Sequence, residues 1–575
     1  MLTFADLVDT TGVPADAGLV TGEEFTSYHD LMADARRLAS VLADSGLTPG
    51  TRVALRFGEA EWSAYAVGYF ATVLAGGVAV VLPPDATVGE LRRMCGDVGV
   101  GMSVSTAPAP EHWAAGTRHV AVSAARYGDG AYAAPVPPAT ALADIIFTSG
   151  TTGAPKGVAA HHGQLTETAR RYRERPHWAP VLAHGVSHAT AIGTRQLLLS
   201  AVARSATLVS CVPFDAPTLV RRIERLGVAT AVLPSACGRS LIRALEARPD
   251  ADLSSLRKLR FVSDALNTEF HRRLAELLQQ TQVINSYGLT EGGGAHLVVT
   301  QDDCGLGPGG RPAQGTEVRI MALDGSWAEP GAPGAVCIRD SAEPLVYLMD
   351  PKATESTWRD GWTVTGDIGF TDDTGRVHLT GRGEQLARVG GHNVGLRRVR
   401  RTLEEHPSVR AAAVVVQSHS TLGQTLAAAV EWTAAEQDLD GLRTHLAAAL
   451  PPYAVPSPVV AVDELPTGSN GKTRHEAVAA LIRARSGGGR PCRTETERTV
   501  AEVWRRVLGV THSIGPDDDY VALGGDSLAA VEIAIELGQL TDLDVDYDWF
   551  QYSPNLGSLA GEIDLRAARA TGGTA

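Results

Sequence analysis

Residues Thr148 to Gly157, TSGTTGAPKG, gather glycines and hydroxyl side chains around one lysine, Lys156, directly after the apolar run Leu142 to Phe147. Glycine lets a backbone approach an anion and present its N–H groups, as at Gly150. The hydroxyls of Thr148, Ser149, Thr151 and Thr152 add donors, and Lys156 supplies a point charge. Hung on a strand, such a loop is suited to a polyphosphate. A flexible polar loop is the alternative reading of the same composition. The Walker A pattern GxxxxGK[ST] is absent, since no Ser or Thr follows Lys156, so the phosphate chemistry belongs to a different enzyme class.

Four more segments follow in order. Tyr287-Gly288-Leu289-Thr290-Glu291 comes after Asn285, then Thr365-Gly366-Asp367, then Gly381-Arg382-Gly383-Glu384 ahead of the turn Gly390-Gly391-His392, and last Asn470-Gly471-Lys472 behind Leu465-Pro466. Together with the first loop, over roughly residues 20 to 480, they resemble the adenylate-forming superfamily, which includes acyl-CoA ligases, aryl-acid ligases and the adenylation domains of nonribosomal peptide synthetases. The resemblance implies a carboxylate attacking the α-phosphate of ATP in line while pyrophosphate leaves. Charge concentrates in that transition state and needs positioned cations.

The resemblance also implies roles. Lys472 bridges carboxylate and α-phosphate; the bland alternative is a solubilising surface lysine. Tyr287 lies against the adenine face, with Asn285 at its amino edge, Thr290 near the phosphates and Glu291 on Mg²⁺; a tyrosine before glycine is otherwise core packing. Asp367 accepts both ribose hydroxyls and Arg382 adds a ribose contact, against the alternatives of a turn aspartate and a surface ion pair. Lys156 with Thr148, Ser149, Gly150, Thr151 and Thr152 clamps the departing pyrophosphate. Glu384 stands at the hinge about which the small subdomain rotates, where Asp is usual, and Arg388 replaces a usual lysine. Ser263-Asp264-Ala265 replaces a glycine-rich turn near the nucleotide.

The substrate is read from Ser187-His188-Ala189-Thr190-Ala191-Ile192. Amino-acid-activating relatives usually place an aspartate here for the α-ammonium, and this segment has no carboxylate. A buried ammonium without a partner is costly, which disfavours an ordinary α-amino acid. His188 resembles the histidine of aryl-acid and acyl ligases, with a satisfied structural histidine as the alternative. His188, Ile192, Ser286, Gly292 and Gly293 are the expected pocket residues, the glycines leaving room for an acid.

A second signature, Leu523-Gly524-Gly525-Asp526-Ser527-Leu528, leads into the apolar periodicity of Val531, Ile535 and Leu537. That places Ser527 at a helix N-terminus, where exposed N–H groups and the dipole favour an anion. A simple helix cap is the alternative. The complete string resembles the phosphopantetheine attachment site of peptidyl carrier proteins, over about residues 494 to 570.

The elements that position these residues follow from periodicity. Strand-like Ala206 to Val212, helical Thr218 to Leu226 and strand-like Val228 to Leu233 are followed by a strand Leu259 to Val262, a helix capped by Asn267 through Leu278, and a strand Gln282 to Ser286. Such alternation predicts an α/β parallel sheet with ligands at the strand C-terminal ends. Beyond Gly381, an amphipathic run Leu396 to Leu403, a strand Val409 to Val416 and a helix Leu439 to Leu450 ending at Pro451-Pro452 predict a small α+β subdomain. The resulting domains are 1–381 and 382–485 for the large and small adenylating subdomains, 486–493 for a glycine-rich linker, and 494–575 for an all-α four-helix carrier.

The 575 residues suggest three or four compact units, and 44% hydrophobic with 20% charged residues is ordinary for a globular protein. A net charge of −14 without a basic cluster argues against nucleic acid. No apolar stretch approaches the ~18 residues of a membrane span, so a cytoplasmic location without membrane contact is expected. The six cysteines lack ligand spacing and read as free thiols. The expected cofactors are ATP, Mg²⁺ and 4′-phosphopantetheine on Ser527. The expected partners are a small carboxylic acid, a phosphopantetheinyl transferase and a downstream acyl-accepting enzyme or synthetase module. A ligase using free CoA would leave the Ser527 domain without purpose. A non-catalytic carrier scaffold is opposed by Lys472, Glu291, Asp367 and Lys156.

Overall fold

The structure is a computed structural model, and it describes the chain except for residues 1–3, 8, 107–116, 124–136, 149–154, 175–179, 264–267, 295, 301–308, 323, 341–344, 383–385, 390–391, 420–422, 434–437, 452–453, 469–472, 487–491, 509, 511–513, 517, 519, 521–522, 524–526, 542, 544, 546–548, 550–554 and 572–575. Contacts divide it into two units, Met1–Thr380 with Gly468–Lys472, and Gly381–Thr467 with Thr473–Ala575.

The first unit is mixed α/β. Strands Gln282–Gly288, Lys258–Val262, Thr230–Pro234, Val181–His184, Thr207–Ser210 and Gly18–Thr21 lie side by side, all parallel. Beyond Gln282–Gly288 the ladder turns antiparallel through His296–Val299 and Gly309–Pro312, reaching Val377–Arg382, Trp362–Thr371 and Gly334–Asp340. A second sheet is parallel across Leu142–Thr148, Val78–Val81, Arg52–Leu55, Met102–Ser105 and Arg118–Ala121, with Lys156–His161 antiparallel at one side. Near-continuous Val, Ile, Leu and Ala runs such as Val78–Val81 are what strands buried on both faces require.

The helix read from Thr218 begins at Ala216. Asp215 caps it by accepting the Thr218 N–H, and Pro217, which has no N–H, is tolerated in the first turn because an N–H there would have no helical partner. The final strand of the alternation runs two residues further than expected, to Gly288, because Tyr287 and Gly288 pair with Leu297 and His296. Asn267, the expected cap of the helix Thr268–Leu277, lies outside the described residues.

The second unit contains a five-stranded sheet with the long hairpin Val409–His419 and Gly423–Trp432, and the helices Leu396–Glu404, Leu439–Ala449 and His475–Ser486. It also contains the helices Glu495–Val507, Ser527–Thr541 and Leu556–Thr571, with Trp504, Ile533, Leu537, Leu556 and Leu559 fully buried in their own core. Thr494 and Glu497 close a reciprocal cap on the first. Of the fourth helix expected of a carrier bundle, only Trp549, helical and buried in the same core, is among the described residues. Cys95, Cys211, Cys237, Cys337 and Cys492 are free thiols, and Cys304 lies outside the described residues. No helix among the described residues is long and apolar enough to cross a membrane.

Candidate active site

Three parallel strands end together. Where Thr230–Pro234, Lys258–Val262 and Gln282–Gly288 run out, Asn285 is buried and its amide nitrogen approaches Ser235 Oγ at 3.4 Å and the Phe261 carbonyl at 3.5 Å. Ser263 follows its strand with φ 81°, a left-handed backbone that a serine holds at a cost where a glycine would not. Tyr287 donates its hydroxyl to Asp367, whose side chain is otherwise buried.

Asp367 is aimed by a bulge. The ladder between Gly334–Asp340 and Trp362–Thr371 slips between Ala335 and Cys337, opposite Thr365-Gly366-Asp367, and Gly366 takes φ 76° there. Thr365 donates to the Val336 carbonyl at 2.8 Å and accepts the Asp367 N–H at 3.1 Å, so the turn is hydrogen-bonded at both ends.

Thr148 ends one strand and Lys156 begins the next, and the two residues pair. Ser149, Gly150, Thr151 and Thr152 lie outside the described residues. Lys156 Nζ is 3.6 Å from Asp350 Oδ2 and 5.2 Å from the centre of the Tyr347 ring. The Tyr347 hydroxyl donates to Glu291 Oε1 at 2.7 Å, and Trp358 Nε1 donates to the Glu291 carbonyl at 3.0 Å. Burial first, and then the Glu291 charge, push the Tyr347 hydroxyl above its ordinary value, so it stays a donor. Thr290 and Glu291 share a tight 3₁₀ turn. A carboxylate with one oxygen held by Tyr347 keeps lone pairs for a hard cation, and Mg²⁺ is commonly held by one or two carboxylates plus substrate phosphates, so Glu291 fits that ion.

The residues expected around the substrate are placed differently from one another. His188 is fully buried, its ring 4.4 Å from Tyr65 and edge-on to Trp62 at 5.8 Å, and neither ring nitrogen has a hydrogen-bond partner among the described residues. Burial pulls it down to about 4, so it is neutral near pH 7. Ile192 opens a π-wound turn through Leu198, and Arg195 in that turn donates two bonds to the fully buried Asp144, at 3.0 and 2.6 Å; Tyr69 adds a third at 2.9 Å. Ser286 is buried and accepts from Arg260 Nε at 2.9 Å.

The room expected at the glycines is partly filled. A Cβ on Gly292 would meet Ile338 at 2.8 Å, and one on Gly294 would meet an Asp340 carboxylate oxygen at 2.5 Å. Only Gly293, with φ 62°, faces open space. Asp340 is itself paired with Arg171.

Lys472 and Glu384 lie outside the described residues, as does the side chain of Arg382, which closes the strand Val377–Arg382. Ser527 is the first residue of its helix, with its side chain outside the described residues. Tyr347, Asp350 and Trp358 escaped the sequence reading: they fall in a two-residue strand, a cap and another two-residue strand, with no periodicity to mark them.

Residues 10–347 match the family of AMP-binding enzymes, 401–472 the AMP-binding enzyme C-terminal domain, and 498–563 the phosphopantetheine attachment site. A plipastatin synthase of Bacillus subtilis is 25% identical over 570 residues, which cover 96% of this chain and 22% of that protein. The chain thus spans about a fifth of the length of that synthetase. A feruloyl-CoA synthase of an Amycolatopsis species is 30% identical over 470 residues, 78% of this chain and 92% of that protein. The solved structure of McyG A-PCP complexed with phenylalanyl-adenylate shares the fold, with a TM-score of 0.73 over 98% of both chains at 19% identity.

Proposed function

The chain belongs to the AMP-binding enzyme family, and from that premise we propose that it activates a carboxylic acid with ATP as the acyl adenylate and loads it onto a phosphopantetheine thiol carried by its own Ser527. The observation that carries the reading is the phosphopantetheine-site match around a serine that opens a helix, in the same chain as the adenylating unit. We divide the chain at 1–381, 382–485, 486–493 and 494–575.

In this reading Tyr287 and Asn285 take the adenine, Asp367 and Arg382 the ribose, and Lys156 with the Thr148 to Thr152 segment the departing pyrophosphate. Asp367 is suited to two hydroxyl donors because an ionised carboxylate only accepts. Lys472 stabilises the charge that develops between carboxylate and α-phosphate. Glu291 would hold Mg²⁺, whose charge neutralises the phosphate oxygens. Glu384 is the hinge. A phosphopantetheinyl transferase modifies Ser527, and a downstream enzyme or synthetase module accepts the acyl group.

The acid is an aryl or other carboxylic acid and not an ordinary α-amino acid. Asp144, buried beside the Ile192–Leu198 turn, is already neutralised by Arg195 and hydrogen-bonded by Tyr69, and Asp340 is neutralised by Arg171, so neither is left for an ammonium. Likeness to a feruloyl-CoA synthase favours one second reading, transfer to free CoA.

The test is acid-dependent exchange of labelled pyrophosphate into ATP across aryl, hydroxy, β-amino and α-amino acids, with Lys472→Ala as control. One aryl or hydroxy acid above background supports the proposal. An α-amino acid as best substrate overturns the substrate reading, and exchange that Lys472→Ala leaves intact overturns the role of that lysine.

A further inference from the structure

Lys156 and Tyr347 meet because of strand register. Val346–Tyr347 runs antiparallel to Lys156–His161 with Tyr347 opposite Val158, and side chains two apart on a strand share a face, so Lys156 lies on the face that Tyr347 covers. The Leu348 N–H donates to the Gly157 carbonyl at 2.9 Å, which fixes the next residue too. Met349 then turns the chain with φ 67°, a conformation a methionine adopts at a cost, and Asp350 begins a helix.

Asp350 divides its two oxygens. Oδ1 accepts the Ala353 N–H at 3.0 Å and caps the helix, while Oδ2 faces Lys156 Nζ at 3.6 Å. Both side chains of that pair are partly exposed, at 34% and 42%, so water screens it and the lysine can leave it at small cost. Tyr347 divides its groups as well. Its ring lies under the Lys156 ammonium and against Trp358 at 4.9 Å, its hydroxyl holds Glu291 Oε1, and its backbone N–H and carbonyl are both held by Thr354 Oγ1, at 3.1 and 3.2 Å.

We propose that Tyr347 is a positioning residue that ties Glu291 and Lys156 together, and that Asp350 is the resting partner which Lys156 exchanges for an incoming polyphosphate. This deepens the ATP reading of the site and rests on it. The lysine stays oriented over the ring while its weak carboxylate partner is replaced by a more highly charged one. Glu291 stays pinned by one oxygen, with the other presented to the cation.

The test is calorimetric titration of ATP into the full chain, with and without Mg²⁺, for wild type, Asp350→Asn and Tyr347→Phe, alongside thermal melting. Asparagine caps a helix as well as aspartate does, so Asp350→Asn removes only the charge. It binds Mg²⁺-free ATP about two- to fivefold more tightly, the range an exposed ion pair allows. Tyr347→Phe keeps the ring and the melting temperature and binds Mg²⁺-free ATP as wild type does. It needs about tenfold more Mg²⁺ for half-saturation, the effect of losing one hydrogen bond to a charged group. Variants that match wild type in both titrations overturn the proposal and leave the ATP reading standing. Affinities that fall in parallel with a lowered melting temperature assign Tyr347 a structural role and overturn it as well. A wild-type chain that binds no ATP in either titration overturns the reading of the site, and the proposal with it.

Discussion

Tyr287 donates its hydroxyl to Asp367 across 80 residues of sequence, joining the end of a parallel strand to a bulge in the antiparallel part of the same sheet. The two come from separate motifs, and the fold makes them neighbours. If Asp367 accepts the ribose hydroxyls, Asp367→Asn raises the KM for ATP in pyrophosphate exchange about tenfold or more, since hydrogen bonds to a charged group are at stake. Tyr287→Phe, which spares the carboxylate and the ring, changes it less than about threefold. Equal effects from both variants would contradict the assignment.

Acid destabilises the first unit. Burial pulls His184 down to about 3, and His162 and His188 to about 4, from an ordinary 6.5. Above pH 6.5 these rings are neutral whether the chain is folded or not. Below it the unfolded chain takes up protons that the folded one refuses, so stability is full above 6.5 and is lost as pH falls toward 4. Each ring contributes a slope of about 1.4 kcal/mol per pH unit in that window. The melting temperature therefore falls from pH 7 to pH 5, and falls less in His162→Leu. The same fall in that variant would show that His162 does not contribute to it.

The Asp144–Arg195 pair is sealed from water, with Asp144 fully buried. Asp144→Ala leaves a buried guanidinium uncompensated and costs about 3–5 kcal/mol in chemical unfolding of the first unit. Removing both partners costs less than the sum of the single losses, and an additive double-mutant cycle would show that the pair does not act as one.

Ser263 holds a left-handed backbone where Ser263-Asp264-Ala265 stands in place of a glycine-rich turn. Ser263→Gly leaves stability within about 0.5 kcal/mol, because relief of strain and added chain entropy oppose each other. Ser263→Val costs about 1–2 kcal/mol, since a β-branched residue fits that conformation worst. Equal melting temperatures for the two variants would contradict this.

The alternation from Ala206 to Gly288 was legible because apolar strand runs are separated by capped amphipathic helices, so periodicity alone places Asn285 and Tyr287 at a strand end. Asp367 was legible as a motif, but the bulge that aims it depends on a register shift with a distant strand. Tyr347 and Asp350 left no trace, since what joins them to Lys156 is pairing across nearly 190 residues. The glycines after Glu291 misled in part, because the space they free is taken by Ile338 and Asp340, which only the folded chain brings there.

A chain that both adenylates an acid and loads it on its own Ser527 gains the mass of that acyl group. It is read from the intact-protein mass of the phosphopantetheinylated chain after incubation with ATP, Mg²⁺, CoA and the acid selected by pyrophosphate exchange. One acyl increment is expected on the wild-type chain, and none on Ser527→Ala or Lys472→Ala. Acyl-CoA formed from added CoA, with the chain's own mass unchanged, would contradict it.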